Sequence, residues 1–313
     1  MGKLSKQTAR RMTSNPAFAD WLREFASGQG DPVVAHAETS LRLLHSLSMS
    51  IPPVVEWEVV SADAFIREQD SLLQVDKSLG SSELDLFETA MSAYWRDQAG
   101  LALAYKSMVL LRAAELVFPA VPMLNARDLL GPAVLARAVF ELAALYCHEL
   151  HKLVDLFNTA ASTPAGKPFV MKDAGGNVID AEKVLVRAIW GWKAEGPARD
   201  RQPEVLQQLN AVTALRNLAK IVPQIGVVYD YLCQVAHPNF AGNARFWAGL
   251  RDSGAGRSTI LFGRHSEGPE ASRIRHAAMW ALGWSAATIH RWSLKLEDAV
   301  QGVFARWPEE PAL

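Results

Sequence analysis

Apolar residues recur along most of this 313-residue chain at spacings of three and four, the period of helices that bury one face. Val34, Leu41, Leu44 and Leu47 keep that spacing over Val33 to Ser48, until Ile51-Pro52-Pro53 interrupts it. Ser82 is placed to cap a longer segment from Glu83 to about Phe118, with Leu86, Ala90, Ala93, Leu101, Tyr105, Met108 and Leu111 as its apolar positions. Pro119 and Pro122 are expected to end it. Pro132 then stands in the first turn of a helix to about Ala161. Asp180 could cap Ala181 to Lys193, Pro203 opens a helix to about Val222, and Gln224 to Ala236 forms another. Pro269 opens a last helix to about Arg306. Near the start, Asn15-Pro16 is a good opening for Ala17 to Ser27, and Ser61 to Leu79 reads as helical with Gly80 as its stop.

Two stretches break the helical period. Lys167 to Asp180 and Phe246 to Phe262 each give two extended arms around a glycine-containing turn. The expected class is therefore all-α: a multi-helix bundle with two short β-hairpin embellishments at about 167–180 and 246–262. An N-terminal helical region over 1–80 and a bundle core over 81–313 are the expected divisions.

Composition narrows the function classes. Half the residues are hydrophobic and the formal net charge is −1, as in an ordinary globular protein, so a duplex-DNA binder with a strong basic excess is not expected. No window reaches about 18 uncharged apolar residues, because Lys106, Arg112 and Glu115 interrupt the most apolar region, so no membrane span is expected. The N-terminus is basic but lacks a following apolar run, and Cys147 and Cys233 read as reduced thiols within helices. A cytoplasmic protein is the expectation. Ten tryptophans, seven of them after residue 185, point to an aromatic core in that half, or to a stacking surface for bases or a partner.

Chemistry is concentrated in two helices. Gly131 to Cys147 is apolar all round its first half, yet carries Arg137 and Glu141 one turn apart. Charges within such a helix are costly unless satisfied. They read either as a network tying helices together or as a site for an anion or substrate group. In Tyr229 to Asn239, YDYLCQVAHPN, Tyr229, Cys233 and His237 share one face, and Pro238 holds His237 at the helix end. There the imidazole could cap the last carbonyls or serve as an acid or base.

LARAVFELAALYC and the later YDYLCQVAHPN resemble a family of bacterial all-helical domains with an R-x-x-x-E helix and a later Tyr…His-Pro helix, distantly similar to HEPN domains. The resemblance covers roughly residues 100 to 240. It implies a bundle in which Arg137, Glu141, Tyr231 and His237 gather, and a setting in stress, toxin–antitoxin or antiviral defence systems. HEPN ribonucleases space their arginine and histidine four to six residues apart. No arginine followed by a histidine at that spacing occurs here, as Arg42 and His45 are closer and Arg257 and His265 farther apart.

Other motifs are weaker. His148, His151 and Asp155 could face a metal, but HELH lacks the zincin spacing. The glycines before Arg257-Ser258-Thr259 lack the P-loop pattern, and no G-x-S-x-G occurs. Arg264, His265, Arg273, Arg275 and His276 form a modest basic cluster. No cofactor and no metal is expected. Two functions stand side by side: a protein working through contacts with a partner protein or its own copies, and a metal-independent ribonuclease with His237 as base and Arg137 as phosphate stabiliser.

Overall fold

The computed structural model describes residues 17–27, 32–52, 74, 82–167, 169–172, 176, 178–191, 209–237, 247–254, 256–262 and 269–308. The expected Asn15-Pro16 opening, the helix over 61–79 (Gln74 apart) and the Pro203 start lie outside them, while among the described residues of the expected run from Pro203 to Val222 only Ala211–Ala219 is helical. The class is all-α, a helical bundle. Among the described residues its helices are α1 (Asp20–Ser27), α2 (Val33–Met49), α3 (Glu83–Asn125), α4 (Leu130–Ser162), α5 (Ala181–Trp190), α6 (Ala211–Ala219), α7 (Gln224–Ala236) and α8 (Pro269–Arg306). Short strands β1 (Trp247–Asp252) and β2 (Ser258–Phe262) pair antiparallel, Leu250 opposite Ile260, with a register shift between Trp247 and Gly249.

The two hairpins expected at 167–180 and 246–262 are not both present. Among the described residues of 167–180 there is only an isolated bridge, Lys172 with Val178, and the chain then turns into the Asp180 cap. That cap accepts from the N–H groups of Glu182 and Lys183, as its sequence position implied. Asn210 caps α6 in the same way. Pro119 and Pro122 do not end α3, which continues through both to Asn125. A proline removes one N–H and crowds the preceding turn. Here Ala120, Val121 and Leu124 beyond Pro119 are buried, and that packing holds the extra turn in place.

The chain divides into two compact units, each built from three stretches rather than from an N-terminal and a C-terminal part. One takes Met1–Ser50, Val109–Cys147 and Asn210–Arg291; the other takes Ile51–Met108, His148–Leu209 and Trp292–Leu313.

In the first unit, Asn125 at the end of α3 fixes the entry to α1. Its amide accepts from the Ala19 N–H (2.8 Å) and donates to the Ala17 carbonyl (3.0 Å), while the Trp21 indole donates to its carbonyl. Glu38 of α2 pairs with Arg23 at 2.7 Å. Gly283 lets α8 approach α2 closely, since a Cβ there would stand 2.8 Å from the Cα of Ala37. Phe140 of α4 is fully buried and meets Trp280 and Trp284 edge-on, with centroids 5.8 and 4.8 Å away. These two tryptophans pack on Phe140 and are themselves half-buried.

In the second unit, buried Trp95 stacks on Phe169 and meets Phe157 edge-on. Glu88 accepts from the Gly166 N–H, the Arg306 guanidinium and the Trp307 indole. Burial opposes its charge, but these three donors outweigh it and hold the carboxyl below the ordinary glutamate range. Lys106 pairs with Glu297.

By length and composition, Leu84–Asn125 and Leu130–Ser162 are each apolar enough to cross a membrane, with 50% and 44% of their most apolar windows buried within the chain. A window of high mean hydropathy tolerates one or two charges, which a count of uncharged residues does not, and the buried core helix of a globular protein meets the same test.

Candidate functional site

Arg137 lies in the part of α4 whose neighbours Ala133, Ala136, Val139, Phe140, Ala143 and Ala144 are buried. The guanidinium Nε donates to the Glu141 carboxylate at 3.0 Å, with the two side chains 29% and 30% exposed. The pair therefore sits at the boundary of the core. α7 completes it. The Tyr229 hydroxyl donates to the same Glu141 oxygen at 2.9 Å, and the Arg137 guanidinium lies 5.8 Å from the centre of the Tyr229 ring. One carboxylate oxygen thus holds two donors from two helices.

The electrostatics follow from this enclosure. Burial works against the charge of Arg137, and the acidic groups beside it, Cys233 first and then Glu141, outweigh burial and raise its pKa. Burial, followed by the bond to Glu141, pushes the Tyr229 hydroxyl well above the ordinary tyrosine range. Tyr229 is thereby a fixed neutral donor near neutral pH and not a base.

The structure brings together Arg137, Glu141, Tyr229 and the Cys233 neighbourhood. Tyr231, the tyrosine implied by the resemblance, lies elsewhere: its hydroxyl donates to Glu270 of α8 at 2.7 Å. His237 is the C-cap residue of α7, extended at φ −80° and ψ 138°, with its backbone N–H on the Cys233 carbonyl. Its ring is exposed, and among the described residues it makes no hydrogen bond or ion pair with Arg137 or Glu141. Eight residues separate it from Tyr229, roughly 12 Å along the helix axis. An imidazole so placed is not poised beside the guanidinium.

A second ionic centre lies farther along α4, in the other unit. Glu149 is 1% exposed; Lys152 reaches it at 3.1 Å and His148 at 3.5 Å. Burial foremost, and then the charge of Glu149, push the Tyr105 hydroxyl far up. Burial, then Lys152, lowers the pKa of His148 against the pull of Glu149. Sequence reasoning passed over Glu149, although it stands three residues after Tyr146 and four before Leu153, both buried. A carboxylate on the apolar spacing was the available signal. His151 and Asp155 pair with each other at 3.1 Å and are exposed. Among the described residues no three histidine, cysteine, aspartate or glutamate side chains converge to hold a metal ion.

The basic cluster is not one face. Arg273 is exposed, while Arg275 is buried with its guanidinium over the Trp21 ring at 5.1 Å. Arg264 and His265 lie outside the described residues. Comparison with family models, curated proteins and solved structures finds no match to this chain.

Proposed function

We propose that this is a cytoplasmic helical-bundle protein that works through contacts with a partner protein or its own copies, with the Arg137–Glu141–Tyr229 network as a structural tie between α4 and α7. The single observation that carries this reading is the shared oxygen of Glu141. It neutralises Arg137 at 3.0 Å and accepts from Tyr229 at 2.9 Å. A guanidinium held this way offers little attraction to a phosphate, and the exposed His237 ring is not beside it. Apolar side chains left in solvent, Ile221 at 80% and Val222 at 39% exposed, favour a contact role. The resemblance to bacterial defence-associated helical domains gives this role a setting in a stress or antiviral response.

The competing reading is a HEPN-like ribonuclease with His237 as base. Expression of the wild type, His237→Ala, Tyr229→Phe and Arg137→Ala, with growth and total RNA followed together, separates the two. Under the contact reading, Tyr229→Phe and Arg137→Ala lower the thermal midpoint, and none of the variants changes growth or RNA integrity. RNA breakdown in the wild type that disappears in His237→Ala, with the fold intact, overturns it.

A further inference from the structure

The first unit contains a groove that the Arg137 network does not use. It lies against α7 and α8 and has a volume of about 660 Å³. Val227, Val228 and Ala277 form its apolar wall, and Tyr231, Arg273 and His276 its polar side. That volume falls within the range of about 300–1,000 Å³ typical of small-molecule sites, which combine apolar walls with a few convergent polar groups.

The chemistry of the occupant follows from the lining. Val227 is 63% exposed although it faces a concave surface, while Val228 and Ala277 behind it are 4% and 6% exposed, so Val227 presents most of the accessible apolar wall. Arg273 and His276 are three residues apart on α8 and therefore on one side of that helix. The Arg273 guanidinium approaches Glu270 only at 3.7 Å, beyond a hydrogen bond, and is 73% exposed. Glu270 in turn accepts the Tyr231 hydroxyl at 2.7 Å. Arg273 is thus loosely compensated, with donors left for a planar carboxylate in two-point contact. A sugar phosphate would set hydroxyls against valine methyls, and a second copy of this groove would set one hollow against another. A carboxylate on an apolar body satisfies both sides of the groove.

We propose that the groove between α7 and α8 binds a small amphiphilic carboxylate, of the size and character of a medium-chain acyl acid, with its head at Arg273 and its chain along Val227, Val228 and Ala277. This goes beyond the contact function. None of Arg137, Glu141 and His237 lines the groove, so the two readings fail separately.

Calorimetric titration of the full chain with dodecanoate, below its micelle concentration, tests it. The expected result is one site with a Kd on the order of 10 µM. Arg273→Gln raises the Kd about tenfold or more, the change expected for losing a charge-assisted bidentate contact. Val227→Asp abolishes binding. Both positions are largely exposed, so the thermal midpoint without ligand stays unchanged. Dodecanol and dodecyltrimethylammonium bind at least about tenfold more weakly, and acetate gives no measurable heat. Absence of dodecanoate binding, equal binding of dodecanol, or binding that survives both variants overturns the proposal.

Discussion

Two ionic centres on one helix solve the same problem in different ways. At Arg137–Glu141 both partners remain about 30% exposed, and a tyrosine from another helix shares the carboxylate. At Glu149 the carboxylate is almost wholly buried, while its cation Lys152 and the neighbouring His148 stay at 28% and 36% exposure. The first centre is symmetric, and water can still reach either charge if the pair is broken. The second is asymmetric: the anion has no route to water, and Lys152 does. The burial of the less exposed partner, and not the presence of an ion pair, sets how much each centre contributes to stability.

The largest effect is therefore expected at the deeper centre. Lys152→Met removes the cation and leaves Glu149 buried with His148 at 3.5 Å. Breaking a buried pair from one side costs about 3 kcal/mol or more, because a buried charge is left uncompensated. Adding Glu149→Gln to Lys152→Met recovers most of that loss. Chemical denaturation of the two single variants and the double variant gives the coupling energy. A Lys152→Met loss below about 0.5 kcal/mol would show that Glu149 is less isolated than its burial implies.

Tyr229→Phe comes next. It deletes one hydrogen bond to a half-exposed carboxylate and keeps the ring beneath Arg137, for an expected loss of about 1 kcal/mol. Arg137→Gln is expected to cost less, a few tenths to about 1 kcal/mol, because Glu141 keeps the Tyr229 donor and its access to water. Thermal melts of both variants check the order. A reversal would mean that the guanidinium, not the hydroxyl, carries the tie between α4 and α7.

How far the sequence shows these centres depends on what each one needs. The helix periods of the described segments, the caps at Asp180 and Ser82, and the opening of α8 at Pro269 are local, and these are present in the structure. The Arg137–Glu141 contact is also local, at i and i+4. Its third member was half legible: the spacing of Tyr229, Cys233 and His237 put Tyr229 on the right face, whereas family resemblance pointed to Tyr231, which bonds Glu270. Neither could show that the helix end leaves His237 in solvent. The run of α3 through Pro119 and Pro122 was illegible for a similar reason, since nonlocal burial of Val121 and Leu124 overrides a local helix breaker. Glu149 was legible in principle, as a charge on a buried spacing. The interleaving of the two units was not, because it depends on which halves of the long helices pack together.

The smallest expected effect shows in pH dependence alone and separates the two centres most sharply. His148 titrates below its ordinary 6.5, burial being the first cause and Lys152, His151 and Arg187 adding to it against Glu149. The folded chain therefore takes up that proton less readily than the unfolded chain. As pH falls through about 6.5 the unfolded state binds the proton first, so stability is lost on acidification until the lower folded value is passed. Above that window the contribution is fully present. His148→Gln flattens the slope of stability against pH between the two values and leaves the plateau above pH 7 nearly unchanged. Among the described residues the Arg137 centre has no histidine among its contacting groups, so Tyr229→Phe lowers stability without altering that slope. Urea melts of the two variants between pH 5 and 8 decide the matter: a slope that persists in His148→Gln would move its origin away from the buried Glu149 centre.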